Sequence, residues 1–376
     1  MATTARILNP SRGFDRFKPH LLMVLSQCGY TFLYFITEAS FNHGMNPHVY
    51  ITYRHIVAGV FMLPFAWILE RKTRPKLTLY LFSEIFLLSL IGVALAVNMY
   101  FASLRYTSPA FLSSMVNTIP SLTFVIAVIL RLEAVDLRET RGIAKVAGTL
   151  ISLAGVLTMT LYKGSEVRNL WPPMIQIDGD RSATSTHNHS NWLKGSILTI
   201  ASCIALSIWY IMQAYTLKRY PAQLSLTTWM CFLGGAQSAV FTVIIKHKAA
   251  DWSIGFNIDL WSTLYGGVVV SGMIIFVQLW CTEAKGPVFV TMFNPLSTIL
   301  VAILAYFVLH EKLYVGSLVG AVIVMAALYL LLWGKEDDHQ VNPVELDYED
   351  RQVQPCLTSD EEHKDQKLYQ DASVAV

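Results

Sequence analysis

Charge is what this sequence is shortest of. Asp, Glu, Lys and Arg make up 14% of its 376 residues, whereas soluble domains carry about a quarter. With 54% hydrophobic residues and a mean hydropathy of +0.45, the chain is that of a membrane protein. The period-two alternation of membrane β-strands is missing too, which excludes an outer-membrane-type barrel. Cysteine is sparse: four of the five lie inside apolar runs (Cys28, Cys203, Cys231, Cys281) and Cys356 lies near the C-terminus. That distribution implies neither a disulfide framework nor a metal site. No Gly-rich phosphate loop, His-Glu-x-x-His or nucleophile elbow occurs. Nothing basic and aromatic lies outside the apolar runs to hold nucleic acid. The expectation is a protein that is not an enzyme and carries no cofactor.

What the chain does contain is ten apolar runs, each long enough for a hydrocarbon core of about 30 Å. They lie near 21–41, 49–69, 79–103, 109–130, 142–162, 193–216, 223–245, 261–283, 287–309 and 312–333. The fold class expected is an all-α membrane protein whose ten helices form two inverted five-helix repeats. The organisation reads as an N-terminus over 1–20, a first repeat over 21–162, a polar loop over 163–192, a second repeat over 193–333, and a tail over 334–376. The tail carries 12 Asp and Glu against 4 Lys and Arg, a net −8, and little apolar content, so it reads as disordered.

Lys and Arg in short loops set the orientation. Arg6, Arg12, Arg16 and Lys18 precede the first run; Arg71, Lys72, Arg74 and Lys76 follow the second. Arg131, Arg138 and Arg141 follow the fourth, Lys218 and Arg219 the sixth, and Lys285 the eighth. All these positions fall on one side, and the opposite loops are poorer in such residues. Both termini are therefore expected in the cytoplasm. The 163–192 loop then faces the lumen of the secretory pathway, where Asn188-His189-Ser190 forms a glycosylation sequon at Asn188. No small-residue cleavage site follows the first run, which reads as a retained anchor.

One stretch is written twice. Residues 109–133 (PAFLSSMVNTIPSLTFVIAVILRLE) and 287–311 (PVFVTMFNPLSTILVAILAYFVLHE) align without a gap at a shift of 178, matching Pro109 with Pro287, Phe111 with Phe289 and Glu133 with Glu311. Each copy is an apolar run opened by proline and interrupted in its first half by Asn and Pro. With five runs per half, the second copy crosses the membrane in the opposite sense to the first. Paired broken helices related in this way build the binding site of many transporters. The match is imperfect: Asn117 falls opposite Pro295, and the proline breaks differ by three residues, so two related but unequal half-sites are expected.

Uncharged polar residues and helix-breaking prolines inside the runs are the candidates for lining such a site: Gln27, Tyr30, Asn98, Asn117, Pro120, Gln213, Gln278, Asn294 and Pro295. A proline within a helix leaves a carbonyl without its donor, and amides offer both donor and acceptor. That set suits a zwitterion. The competing reading is that the amides only join helices. Glu38 and Arg54, near the outer ends of the first two runs, read either as an ion pair pinning the hairpin or as an outer gate. Glu84 and Glu283 read as solvated near the cytoplasmic surface. Gly142, Gly148 and Gly155 in the fifth run, and Gly316 and Gly320 in the tenth, read as close helix contacts.

The segments KPHLLMVLSQCGYTFLYF, GMNPHVYITYRHIVAG, LPFAWILERKTRPKLT, NTIPSLTFVIAVILRLE, GTLISLAGVLTMTLYKG and GPVFVTMFNPLSTILVAI resemble the plant nodulin-21-type, walls-are-thin-related transporters. These are EamA-domain members of the drug/metabolite transporter superfamily. The likeness covers about residues 18–335. It implies two inverted EamA repeats and transport of amino acids, as exporter or bidirectional facilitator, at the plasma membrane or the vacuolar membrane. The walls-are-thin branch is linked to auxin. By position the family's helix-one Gln falls on Gln27, its Tyr-Arg pair on Tyr53-Arg54, its helix-four Asn and Pro on Asn117 and Pro120, and its helix-nine Asn-Pro on Asn294-Pro295. One departure is Ala102, where relatives often carry Gly.

The reading is thus a secondary transporter of a small molecule, an amino acid or related metabolite, embedded in a lipid bilayer. Two alternatives remain: a carrier of auxin or another organic anion, which a basic residue deep in the site would favour, and a receptor signalling through the acidic tail.

Overall fold

The computed structural model describes residues 10–104, 106–107, 109–133, 135–162, 164–165, 189–245, 252, 254–309 and 314–335. Asn188, Glu311, most of the 163–192 loop and the acidic tail beyond residue 335 lie outside the described residues. Ten helices long and apolar enough to cross a membrane run through the rest: α1 (Phe17–Asn42), α2 (Pro47–Leu69), α3 (Leu79–Ser103), α4 (Phe111–Ile129), α5 (Thr140–Met159), α6 (Trp192–Arg219), α7 (Gln223–Ile244), α8 (Ile258–Lys285), α9 (Pro287–Phe307) and α10 (Val315–Lys335). Each lies within a few residues of its expected run.

Local chemistry sets the ends. Pro47 enters α2 in its first turn, where a missing N–H costs nothing, and Asn46 caps that turn through its side chain. Thr78 caps α3 on Leu81 N and Asn257 caps α8 on Asp259 N. Gly286, at φ +83°, turns the chain between α8 and α9, a conformation open to glycine at little cost.

Four helices are irregular, in pairs. α4 stops at Asn117 and Thr118 and restarts as Ile119–Ile129; α9 stops at Phe293 and restarts as Asn294–Leu304. Pro120 and Pro295 each open the second piece, where the absent N–H is tolerated. A second duplication escaped the sequence reading. α3 widens to a π-helix over Leu90–Val97, and α8 does so over Gly266–Ile274. Shifted by the repeat interval of 178, these two stretches overlap almost completely. π-helical turns are rare and concentrate at functional sites.

Packing follows the small residues. α5 and α10 lie against each other, and a Cβ on Gly320 would come within 2.8 Å of the Gly155 carbonyl, one on Gly155 within 3.1 Å of the Gly320 carbonyl. The core between the repeats gathers Met23, Leu88, Ile119, Tyr220, Leu226, Met230, Leu279 and Phe289, all at most 2% exposed.

At the Lys/Arg-rich face, polar ties join one repeat to the other. Glu70, just past α2, accepts from Leu224 N (2.8 Å) and Ser225 N (2.7 Å), so it caps the first turn of α7. Glu84 on α3 accepts from Thr216 Oγ1 (2.9 Å) and Arg219 Nη1 (3.0 Å) on α6, and is therefore bonded rather than merely solvated. Glu133 is buried between Lys335 Nζ at 2.6 Å and Lys145 Nζ at 3.6 Å. Glu283 accepts from Gln223 Nε2.

Candidate functional site

Arg54 decides the geometry. It stands about 10 Å into α2 at 1.5 Å per residue, one position beyond Tyr53. Neighbouring helical residues project about 100° apart, so the Tyr-Arg pair divides. Tyr53 bonds the Trp252 carbonyl outside the span at 2.9 Å. Arg54 turns inward, and its Nε donates to Ser271 Oγ at 2.7 Å, halfway along α8. Arg54, expected near the outer end of α2, thus reaches the middle of α8 with its side chain. Two glycines make this approach possible. A Cβ on Gly266 would strike the Tyr50 hydroxyl and the Arg54 stem, and one on Gly267 would lie 2.8 Å from the Arg54 carbonyl. α2 thus sits directly on the π-helical part of α8.

None of the ion pairs among the described residues includes Arg54. The anticipated partner Glu38 is half-buried on α1, and what positions Arg54 is Ser271 together with the Tyr50 ring, 5.9 Å from the guanidinium. Its charge also acts on Tyr30 of α1 and Cys231 of α7.

About two helical turns along α8 from the Arg54–Ser271 bond, a polar patch of α1, α6, α8 and α9 gathers around Gln278. Gln278 Nε2 donates to Tyr30 Oη at 3.2 Å, and the Tyr210 hydroxyl lies beside Gln278 and Asn294. Gln27, Gln213 and Gln278 are at most 1% exposed. Each holds one side-chain amide atom without a hydrogen-bond partner among the described residues: Nε2 of Gln27, Oε1 of Gln213 and Oε1 of Gln278. Gln213 Nε2 touches only the Met230 sulfur, at 4.0 Å. An unsatisfied buried amide costs about 1–3 kcal/mol, so these three atoms are open to a water or a polar ligand.

The remaining candidates lie elsewhere. Asn117 joins the two broken helices, its Oδ1 accepting from Thr298 Oγ1 of α9 at 3.0 Å and its Nδ2 touching the Met159 sulfur of α5. Pro120 and Pro295 are buried at the restarts. At the α4 break the carbonyls of Met115 and Ile119 accept from Cys203 Sγ and Ser207 Oγ of α6, so α6 covers them. Asn98 belongs to a separate network of α2, α3 and α7, bonded to His48 Nδ1 at 2.7 Å, the Ala94 carbonyl and Ser238 Oγ. Gln237 bonds the Phe86 carbonyl. Sequence reasoning missed Ser271 and the Glu133–Lys145–Lys335 cluster. Lys145, a cation six residues into an apolar helix, was the signal for the latter.

Two segments of the chain, residues 18–161 and 193–333, match the EamA-like transporter family. The chain belongs to that family. Among curated proteins it is 39% identical to a WAT1-related protein of Arabidopsis thaliana over 96% of this chain and 94% of that one. It is 40% identical to a second, over 88% and 83%, and 39% identical to a third, over 87% and 88%. A solved crystal structure superimposes with a TM-score of 0.60, at 14% identity, over 84% of this chain and 98% of that one, and supports the fold alone. This EamA-like protein is accordingly a multi-pass membrane transporter of small molecules with two five-helix repeats.

Proposed function

We propose that the protein is a secondary transporter of amino acids, an exporter or bidirectional facilitator that works by alternating access. One observation carries this reading: Gln278, fully buried with an unsatisfied Oε1, adjoins Tyr30 and Tyr210 beside Asn294 at the break in α9. Gln27 and Gln213, likewise buried and unsatisfied, lie three residues along their helices from Tyr30 and Tyr210. An α-ammonium needs acceptors and a carboxylate needs donors, and amides with tyrosine hydroxyls offer both. Gln27, Tyr30, Gln213, Gln278 and Asn294 form the binding wall. Asn117 links the two broken helices, and Asn98 holds the flank. The matched π-helical stretches in α3 and α8 are the segments at which the repeats bend. Both termini lie in the cytoplasm, which puts the Asn188 sequon on the lumenal side. The plasma membrane is the destination the family resemblance favours over the vacuolar membrane.

The test is counterflow of a panel of amino acids into proteoliposomes holding the full-length protein. At least one amino acid should exchange, and Gln278→Leu should lower its rate about tenfold or more, the loss of one or two buried hydrogen bonds. Absence of exchange for every amino acid would sink the reading. A second reading, transport of an organic anion such as auxin, is favoured by Arg54, whose cation reaches the mid-depth of α8.

A further inference from the structure

We propose that Arg54, held on Ser271, is the carboxylate-binding group of the transport site. The inference rests on the polar patch being that site, and it gives the patch a direction. A cation within the hydrocarbon zone is costly and is kept where it has a partner or a task. None of the ion pairs among the described residues includes Arg54, although the chain places carboxylates against Lys145, Lys335, Arg219 and His43. The residue is partly exposed within the span rather than sealed. The surroundings fix the guanidinium in place: Nε is taken by Ser271, and the Tyr50 ring lies at 5.9 Å. Gly266 and Gly267 clear the space for it. With Nε occupied, the two Nη groups form the edge of the fork that accepts a carboxylate in a bidentate pair.

The patch itself has the complementary character. Tyr30, Tyr210 and the unsatisfied amides of Gln213 and Gln278 supply oxygen acceptors and hold no cation. A ligand lying between Arg54 and the patch would set its carboxylate at Arg54 and its ammonium or other donor at the tyrosines and glutamines. The shared chemistry is a carboxylate, whether from a zwitterionic amino acid or from a monocarboxylate such as auxin.

The experiment uses full-length protein in proteoliposomes, with the best-exchanged amino acid of the panel as labelled substrate. Three unlabelled competitors are compared: the same amino acid, its amide, which lacks the carboxylate, and its deaminated acid, which lacks the ammonium. The wild type should be inhibited about tenfold more weakly by the amide than by the acid, the loss of a charge-assisted bidentate contact. In Arg54→Gln, the KM for the acid should rise about tenfold or more and the preference for acid over amide should vanish, while Arg54→Lys restores part of both. Ser271→Ala should raise the KM for the acid while leaving inhibition by the amide unchanged. Strong inhibition by the deaminated acid identifies the organic-anion source, weak inhibition the zwitterion.

Retention of the acid-over-amide preference in Arg54→Gln, with or without lost rate, would overturn the proposal and leave Arg54 as a pin between α2 and α8. Should no amino acid exchange at all, the amino-acid reading fails by itself. The carboxylate inference is then decided by thermal stabilisation of the detergent-solubilised full-length protein with indole-3-acetate and its amide. An Arg54-dependent shift from the acid alone supports it, and equal or absent shifts overturn it.

Discussion

A single carboxylate shows how much one residue can decide in this fold. Glu133 closes the first copy of the duplicated stretch, but its service is structural: it lies buried between Lys335 at the end of α10 and Lys145 in α5. The net charge of this cluster is positive. Glu133→Gln removes the charge that keeps two lysines together out of water. Breaking a buried pair in this way costs about 3–5 kcal/mol, so the variant should melt well below the wild type in a thermal-denaturation assay and lose monodispersity on gel filtration. Replacing Glu133, Lys145 and Lys335 together by Leu, Met and Met should recover much of the loss, because an apolar trio of similar volume leaves no buried charge without its partner. The same reasoning applied to Asn98 gives the opposite functional outcome to Gln278. Its partners His48, Ala94 and Ser238 are all protein groups. Asn98→Ala should therefore lower stability by about 1–3 kcal/mol while leaving the KM of exchange unchanged, which a paired melting and uptake measurement separates.

At the level of the helix, what could be read from the chain was what depends on nearest neighbours. The ends of α2 and α9 follow from Pro47, Pro287 and their caps, and the α4 and α9 breaks from Pro120 and Pro295. The α5–α10 contact follows from glycines spaced along one face. Gly320→Leu should force those helices apart at the Gly155 carbonyl and cut the yield of folded protein, and Gly320→Ala should do so in smaller measure, because even a single Cβ would strike Met159 Cγ and lie 2.8 Å from that carbonyl. The π-helical turns were not legible, because no residue type specifies them. They arise where tertiary contacts favour an i→i+5 bond, as Tyr50, Arg54 and Val57 do against Gly266 and Gly267. The division of Tyr53 from Arg54 was hidden for a related reason. Depth along a helix can be counted from sequence, but the reach of an arginine toward another helix depends on how closely the two approach. That distance was set by two glycines more than 200 residues away.

Across the molecule, the two faces differ in how the repeats are tied. On the Lys/Arg-rich side Glu70 caps α7, Glu84 holds Arg219 and Thr216, and Glu133 holds Lys335, each bond crossing from the first repeat to the second. The proposed alternating access would require those bonds to open together, with the repeats moving as packed units around the patch. Glu70 is the most separable of them, because its oxygens act on backbone N–H groups at a helix start, where negative charge is favoured. Glu70→Gln keeps the shape and removes the charge. It should shift the population toward the state open on that face about two- to fivefold, the factor that a helix-terminus charge is worth. Cys281, fully buried on α8 and contacting the Pro19 carbonyl near this face, is the reporter. In a protein retaining Cys281 alone, a membrane-impermeant maleimide applied from the Lys/Arg-rich side should label the Glu70→Gln form faster by that factor. Amino acid on the same side should accelerate labelling in the wild type if binding promotes opening. An unchanged rate in Glu70→Gln would mean that the cap moves with α7 as one body. The opening would then lie at Glu84 and Glu133, where the ties are made between side chains.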